Sequence, residues 1–438
     1  MRVTRYYLPV IKPDPSVSAS TVSHKLMLRA GMIRQLCQGI YTLLPLAHRV
    51  LKNITKIVEE ECDKIGCIEM LMPTLQPATL WKKSGRYDSY GSEMLCIKDR
   101  NDKDLLYSPT NEEVITDLLS KDIISYKSLP INLYQIHWKF RDEIRPRFGL
   151  MRAREFLMLD AYSFDLNQDA AVATYYTYYK AYAKIFEKMG LTAIPIIADT
   201  GQIGGSLSHE FQIIAETGES EIIYDIELEE KFKNINKVSH RDLTNIYAVT
   251  KEKHDPANCR VDADHLVLKR GIEIGHIFSF GQKYSKSMNL NIQDKEGKTI
   301  NPYMGSYGIG VTRLMAAIIE AKHDDKGIIW HESIAPFNII LFNFDHDIDV
   351  VMKGANEIYE VALNNNIDIL YDDTDRSIGQ KRNIADLIGV PYQLCYGERN
   401  FKDGNCEIKS RQRGKKVIVP ISRIKEELCS TKNLGKFF

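Results

Sequence analysis

Between Leu46 and Ile65 apolar residues recur at helical spacing. Leu46, Val50, Leu51, Ile54, Ile57, Val58 and Cys62 form one stripe, which predicts a long amphipathic helix. Gly66 ends it. Ile68 to Met72 then reads as a strand closed by Pro73, which cannot donate within a sheet and marks an edge or a strand end. Further along the period changes to two. Tyr134 to Arg141 and Glu155 to Tyr162 read as paired strands around an arginine-rich turn, and Thr192 to Asp199 as another apolar strand. From Gly271 to Phe278 the chain alternates, so a regular strand there sets Glu273 and Gly275 on one side and Ile272, Ile274 and His276 on the other. After Pro336 the elements are a strand over Ile339 to Phe344, a helix over Ile348 to Asn365, and a strand over Ile367 to Tyr371. A helix over Ile378 to Ile388 and a strand over Tyr392 to Tyr396 complete a small parallel or mixed α/β domain.

Composition sets limits on this picture. With 438 residues, 44% hydrophobic and 26% charged, the chain suits two or three domains with a large core. The 58 basic and 58 acidic residues cancel, so a nucleic-acid partner has to be met by local patches. Eight cysteines, at 37, 62, 67, 96, 259, 395, 406 and 429, form no C-x-x-C pair, which argues against a zinc knuckle and a disulfide framework and for a reducing cytosol. No segment approaches the roughly 20 apolar residues of a membrane span, and Met1 to Pro15 has no long apolar stretch, so the expectation is a soluble intracellular protein.

The densest chemistry lies from Phe140 to Phe156, where five arginines stand between two aromatics. On paired strands Arg141 and Glu143 share a face. A planar guanidinium offers two parallel donors to phosphate, a carboxylate accepts from an adenine amino group, and Phe156 gives a base a surface to stack on. Arg145, Arg147 and Arg154 are read as simple partners of Asp142, Glu143 and Glu155. At Pro109 a strand breaks, and Thr110 or Asn111 can cap a helix beginning near Glu112. The glycine-rich run from Asp199 to Phe211 reads as a structural loop, and His209 with Glu210 lacks the second histidine of a zinc-protease motif. Gly308, Gly310 and Arg313 do not make a dinucleotide fingerprint, because arginine stands where the third glycine belongs. The P-loop pattern is absent.

These stretches resemble the three motifs of the class II aminoacyl-tRNA synthetases: motif 1 at about 46–73, motif 2 at about 134–162 and motif 3 at about 302–321. The segment around Thr110 resembles the prolyl-tRNA synthetase family in particular, and the likeness covers nearly the whole chain. It implies an α/β chain with an α+β catalytic domain, an antiparallel sheet flanked by helices, over 1–335, and an α/β anticodon-binding domain over 336–438. It implies ATP held by Arg141, Glu143, Arg152, Phe156, Glu273 and Arg313, with Arg141 and Arg313 catalytic. It implies L-proline held by Thr110, Glu112, Arg141, Met158, Asp160, Tyr162, His276 and Ser306. Glu273 would face magnesium. Asp375, Arg376, Lys381 and Arg382 would meet the anticodon of proline tRNA, while a solvated helix start explains the same residues. Lys409, Arg411, Arg413, Lys415 and Lys416 form a second basic cluster that edge-strand protection would also explain.

The resemblance further implies Mg2+, no zinc, a homodimer through motif 1, no membrane and a cytoplasmic setting. The chain departs from the long bacterial form in one respect: that form carries a large editing domain between motifs 2 and 3, whereas here only 218–264 connects the flanking elements, too little for such a domain. A tRNA-binding paralogue without activity would be expected to lose Arg141, Arg152 and Arg313, which are present. A threonyl enzyme would need polar or metal recognition of a hydroxyl, for which no ligand cluster is evident.

Overall fold

The computed structural model describes residues 1–12, 21–198, 207–233, 235, 238, 247–345, 347–430 and 434–438. By its contacts the chain forms two compact units. One holds Met1–Leu36, Tyr41–Asn53 and Ile318–Phe438, the other Cys37–Ile40 and Ile54–Ala317.

The long amphipathic helix is α1, Pro45–Lys64, and every residue of its apolar stripe is buried. Gly66 follows with a φ of 74°, in the left-handed region that glycine enters without strain. The expected strand after it is only β1, Ile68–Glu69. Helix α2, Glu112–Asp122, precedes the hairpin of β2, Ile131–Phe140, and β3, Glu155–Asp165. Helix α3, Gln168–Lys188, follows. It packs buried tyrosines at 175, 178, 179 and 182 on the sheet, and Tyr178 stacks on Tyr307 with ring centroids 3.6 Å apart.

The sheet continues with β4, Ala193–Ile197; β5, Leu207–Ile214; β6, Ser220–Asp225; β7, Ala248–Thr250; the 16-residue β8, Leu266–Gly281; and β9, Tyr303–Gly310. Among the described residues nine strands form this sheet in the order β5-β4-β7-β6-β8-β9-β3-β2-β1, with β5 also paired to β8. It is antiparallel except where β1 meets β2 and β7 meets β4. Of the glycine-rich run read as a loop, 199–206 lie outside the described residues, and the remainder belongs to strand β5. Gly218 passes so near Gly271 that a β-carbon on it would lie 2.5 Å from the neighbour's backbone nitrogen, so a side chain there would prise β6 from β8. Helix α4, Val311–Ala321, leaves β9 directly.

The last elements are β10, Ile339–Asn343; α5, Asp349–Asn364; β11, Ile369–Asp372; α6, Ile378–Ile388; β12, Tyr392–Tyr396; β13, Asn405–Ser410; and β14, Lys416–Pro420. Their sheet runs β11-β10-β12-β13-β14, parallel across the first three strands and antiparallel across the last. Continuous apolar runs such as Ile339 to Phe342 fit strands covered on both faces. The start of the chain lies along the edge strand β11: Arg2 bridges Tyr371, and Thr4 Oγ1 donates to Asp373 at 2.8 Å.

Candidate active site

The hairpin of β2 and β3 closes where the Arg141 N–H donates to the Arg154 carbonyl at 2.9 Å. The strand stops at Phe140, and Glu143 turns back to donate its N–H to the Arg141 carbonyl at 2.7 Å. A turn, and not strand alternation, therefore brings Arg141 and Glu143 to one side. Both line a cleft of about 310 Å³ together with Arg152, Phe156, Glu273 and Arg313. All six residues expected at a nucleotide thus stand around one space.

Their charges are unequally engaged. Arg152 meets Glu143 at 2.9 Å and Glu219 at 3.5 Å, and Arg313 lies 3.4 Å from Glu273 while its Nε donates to the Met151 carbonyl at 2.9 Å. Arg141 has no ion pair among the described residues. It donates to the Pro109 carbonyl at 3.2 and 3.3 Å, and its guanidinium carbon stands 5.3 Å from the Phe156 ring centroid. Burial alone would raise the Glu143 carboxyl, but the hydrogen bonds from Arg152 and the Arg145 N–H, with the charges of Arg152 and Arg147, together hold the group below the usual range. Of the outer arginines, Arg154 pairs with Asp142 as read from the sequence, Arg147 meets Glu219 at 3.4 Å instead, and Glu143 accepts the Arg145 N–H at 3.1 Å.

A smaller pocket of about 110 Å³ adjoins the cleft and shares Arg141, Phe156, Glu273 and Arg313 with it. Met158 and His276 also line it. Beside them the segment before α2 folds into the site. Thr110 Oγ1 donates to Glu112 Oε2 at 2.5 Å, and Ser306 Oγ donates to Glu112 Oε1 at 3.1 Å. The Asn111 N–H donates to the Tyr162 hydroxyl at 3.0 Å, and that hydroxyl donates to Asp160 at 2.9 Å. Asp160 also accepts from Gln135 at 2.9 Å and pairs with buried Lys139 at 2.9 Å. Asp160 and Tyr162, expected to face the pocket, have thus spent their polar groups on fastening the Thr110 segment to the sheet.

Regular alternation in β8 separates Glu273 from His276, and here the structure corrects the reading. Against β5, His276 faces Glu210, Gly275 faces Phe211 and Glu273 faces Gln212, so Ile274 is an extra residue in a bulge. The bulge turns Glu273 and His276 to the same side, 3.4 Å apart. His276 stacks on Phe278 with centroids 3.8 Å apart, and its Nε2 lies 2.7 Å from Ser208 Oγ. Burial would raise Glu273, but the hydrogen bond to His276 and the charge of Arg313 bring it down to about 2. Glu210 goes the other way, raised by burial and by Glu273. Glu210, Glu273 and His276 offer ligand atoms within 4.8 Å of one another. The two carboxylates suit a hard cation such as Mg2+; the imidazole does not.

Sequence reasoning passed over Ser208, Glu210 and Glu219 as site residues. The one available signal was the period of two in β5, which sets Ser208 and Glu210 on one face.

Of the four residues expected at an anticodon, Asp375, Arg376 and Arg382 reach solvent and Lys381 does not. Asp375 and Arg376 lie in the loop before α6, which opens with a capping box of Ser377 and Gln380. Lys381 is a correction: it is 1% exposed, and its ammonium donates to the Asn343 carbonyl at 2.8 Å and the Asp372 carbonyl at 3.2 Å. It ties β10 to β11 and presents nothing to a base. Arg382 pairs with Glu407 at 2.9 Å. In the second basic cluster, Lys409 pairs with Asp386 at 2.6 Å, and buried Arg411 donates to Asp324 at 2.7 Å.

The model of the class II tRNA synthetase core domain for glycine, histidine, proline, serine and threonine matches residues 94–322, and an anticodon binding domain model matches 338–431. Proline–tRNA ligase of Wolbachia sp. subsp. Drosophila simulans is 52% identical, over 94% of this chain and 96% of its own. That of Rickettsia bellii is 52% identical over 97% of both. In fold, the chain is similar to Giardia lamblia prolyl-tRNA synthetase, solved in complex with prolyl-adenylate, at a TM-score of 0.75 and 21% identity, covering 92% of this chain and 75% of that one. Joined to an arginine-lined cleft on an antiparallel sheet, these likenesses show that the chain belongs to the proline–tRNA ligase family of class II aminoacyl-tRNA synthetases.

Proposed function

We propose that this chain activates L-proline with ATP and passes the prolyl group to the 3' end of proline tRNA, with the outer cleft holding ATP and the inner pocket proline. The observation that carries this reading is the placement of Arg141 on the wall common to both spaces, without a carboxylate partner among the described residues. A donor there reaches both the amino-acid carboxylate and the α-phosphate, where negative charge concentrates as the mixed anhydride forms. No protein nucleophile is needed. Proline's carboxylate oxygen attacks the α-phosphorus in line, diphosphate leaves, and the ribose hydroxyl of the tRNA later displaces AMP.

Around that step each group has a task. Glu143 accepts from the adenine amino group, Phe156 stacks on the ring, and Arg152 and Arg313 draw the outer phosphates away. Thr110 and Glu112 accept the two donors of proline's secondary ammonium, while Met158, His276 and Ser306 shape the pocket. Mg2+ entering with ATP would be held by Glu273 and Glu210 and would supply charge neutralisation for the phosphates.

The reading divides labour at Pro336, with catalysis before it and the anticodon grip, through Asp375, Arg376 and Arg382, after it. A homodimer through motif 1 is supported by the exposed side chains of Ile68 and Leu71 at the sheet edge, 65% and 71% accessible. A cytoplasmic setting is supported by eight free cysteines. Diphosphate exchange with each standard amino acid tests the whole reading. Exchange driven by proline is expected; exchange driven by glycine, serine or threonine in its place would defeat it.

A further inference from the structure

Against Glu112 lies an arginine that no motif singles out. Arg86 begins the short helix Arg86–Ser89 and is 3% exposed; its Nη1 stands 3.2 Å from Glu112 Oε2 and 3.1 Å from Glu113 Oε1. Aromatic rings box the guanidinium, with the Trp81 centroid at 4.7 Å and those of Tyr90 and Tyr284 at 5.6 Å. Trp81 is itself held, wholly buried and donating to Gln76 at 2.6 Å. The cation therefore has water excluded around it and little freedom to swing away.

Glu112 needs such a neighbour. It is 2% exposed, and the other groups that touch its carboxylate, Thr110 and Ser306, are neutral hydroxyls. A buried carboxylate contacted by hydroxyls alone takes up a proton and loses its attraction for an ammonium. Two adjacent acids, Glu112 and Glu113, compete for one guanidinium.

We infer that Arg86 is the positioning residue for proline's ammonium group: it holds the Glu112 carboxylate charged and in place to receive it. The inference rests on the assignment of Glu112 to proline. The surrounding groups agree with it. Burial pushes Glu112 up, yet the Arg86 charge and the Thr110 hydrogen bond keep it below the usual range, whereas burial carries Glu113 above it. The other titratable groups near Glu112 are Tyr90, Tyr162, Asp160, Lys283 and Tyr284. The phenols are all raised by burial and stay neutral, and Asp160 is paired with Lys139. Of the two acids that Arg86 touches, Glu112 is the one whose charged form the site favours.

The test is proline-dependent diphosphate exchange by the full chain from acid to neutral pH. Arg86→Gln is expected to raise KM for proline roughly tenfold or more, about one pKa unit of lost charge stabilisation, with KM for ATP little changed. The acidic limb of kcat/KM for proline should move to higher pH, because Glu112 without its cation protonates sooner. Arg86→Lys should recover most of the loss, since a single nitrogen makes both contacts. Glu113→Gln leaves the arginine in place and serves if Arg86→Gln does not fold. With the competing acid gone, the limb should move to lower pH. An unmoved limb in Glu113→Gln, or normal proline KM in the double variant Arg86→Gln with Glu113→Gln, would make Arg86 merely the partner of Glu113 and overturn the inference. Normal proline KM in Glu112→Gln would remove the assignment of Glu112 itself, and the role of Arg86 with it.

Discussion

Arg141 rests on Phe156, its guanidinium carbon 5.3 Å from the ring centroid, and the pair forms a wall common to the outer cleft and the inner pocket. The ring lies against the guanidinium, and the Pro109 carbonyl accepts from its Nε at 3.3 Å and from its Nη2 at 3.2 Å. A flat cation held at two places and without an ion pair among the described residues is preorganised for charge that develops between the two spaces.

Arg141→Ala should therefore lower proline-dependent diphosphate exchange by on the order of a hundredfold or more, with the fold intact. Arg141→Lys should not rescue it, because an ammonium lacks the planar fork that offers two parallel donors. Near-normal exchange by a folded Arg141→Ala protein would remove Arg141 from the reaction.

Lys381 and Arg376 should separate cleanly in experiment. Lys381→Ala leaves two buried carbonyls without their donor, a loss of roughly 1–3 kcal/mol each at most, read as a lower melting temperature. Arg376→Ala should leave melting unchanged and raise the tRNA concentration needed for charging, with the proline dependence unaltered. A melting temperature unaffected by Lys381→Ala would contradict the role of Lys381 as a tie between β10 and β11.

A pH effect should come from His209, which is 5% exposed and lies 2.6 Å from the Tyr175 hydroxyl. Burial, aided by His276, lowers its folded pKa from 6.5 to about 4. The unfolded chain thus takes up a proton as pH falls below 6.5, and the folded chain resists until about 4. Stability is full above that window and falls through it, by roughly 3 kcal/mol at 1.36 kcal/mol per pKa unit. Denaturant unfolding at several pH values should show a flatter curve across the window for His209→Gln. Parallel curves for variant and parent would show that His209 does not carry this dependence.

The elements that could be read from the sequence are those with a long, strong period. The stripe from Leu46 to Cys62 gave α1 to within a residue at each end, and Ile378 to Ile388 and Tyr392 to Tyr396 recur unchanged as α6 and β12. The misses share a cause: a linear pattern does not encode register or burial. Nothing around Ile274 announces the bulge, which arises only when β5 pairs with β8, yet it decides that Glu273 and His276 meet. Lys381 lies among charged neighbours and looks solvated until the strands close over it. Arg86 reads as an ordinary surface arginine because the partners that enclose it, Glu112, Glu113 and Tyr284, lie far along the chain.

Alanine poses the last question. It is smaller than proline and carries an ammonium and a carboxylate, so a pocket for a pyrrolidine ring cannot exclude it by size and loses only the contacts of a few methylenes. About 1–3 kcal/mol of discrimination per methylene is the usual scale, which leaves alanine a measurable substrate. The connection 218–264, where an editing domain would be inserted, instead gives β6 and β7 to the catalytic sheet, with the helix Glu227–Lys233 between them. The chain should therefore attach alanine to proline tRNA and leave the product intact, so that clearance falls to a separate protein. Incubation with pre-formed alanyl-tRNA of the proline type decides the matter: the ester should decay at the buffer rate, and faster hydrolysis would mean that the connection, or the synthetic site itself, edits.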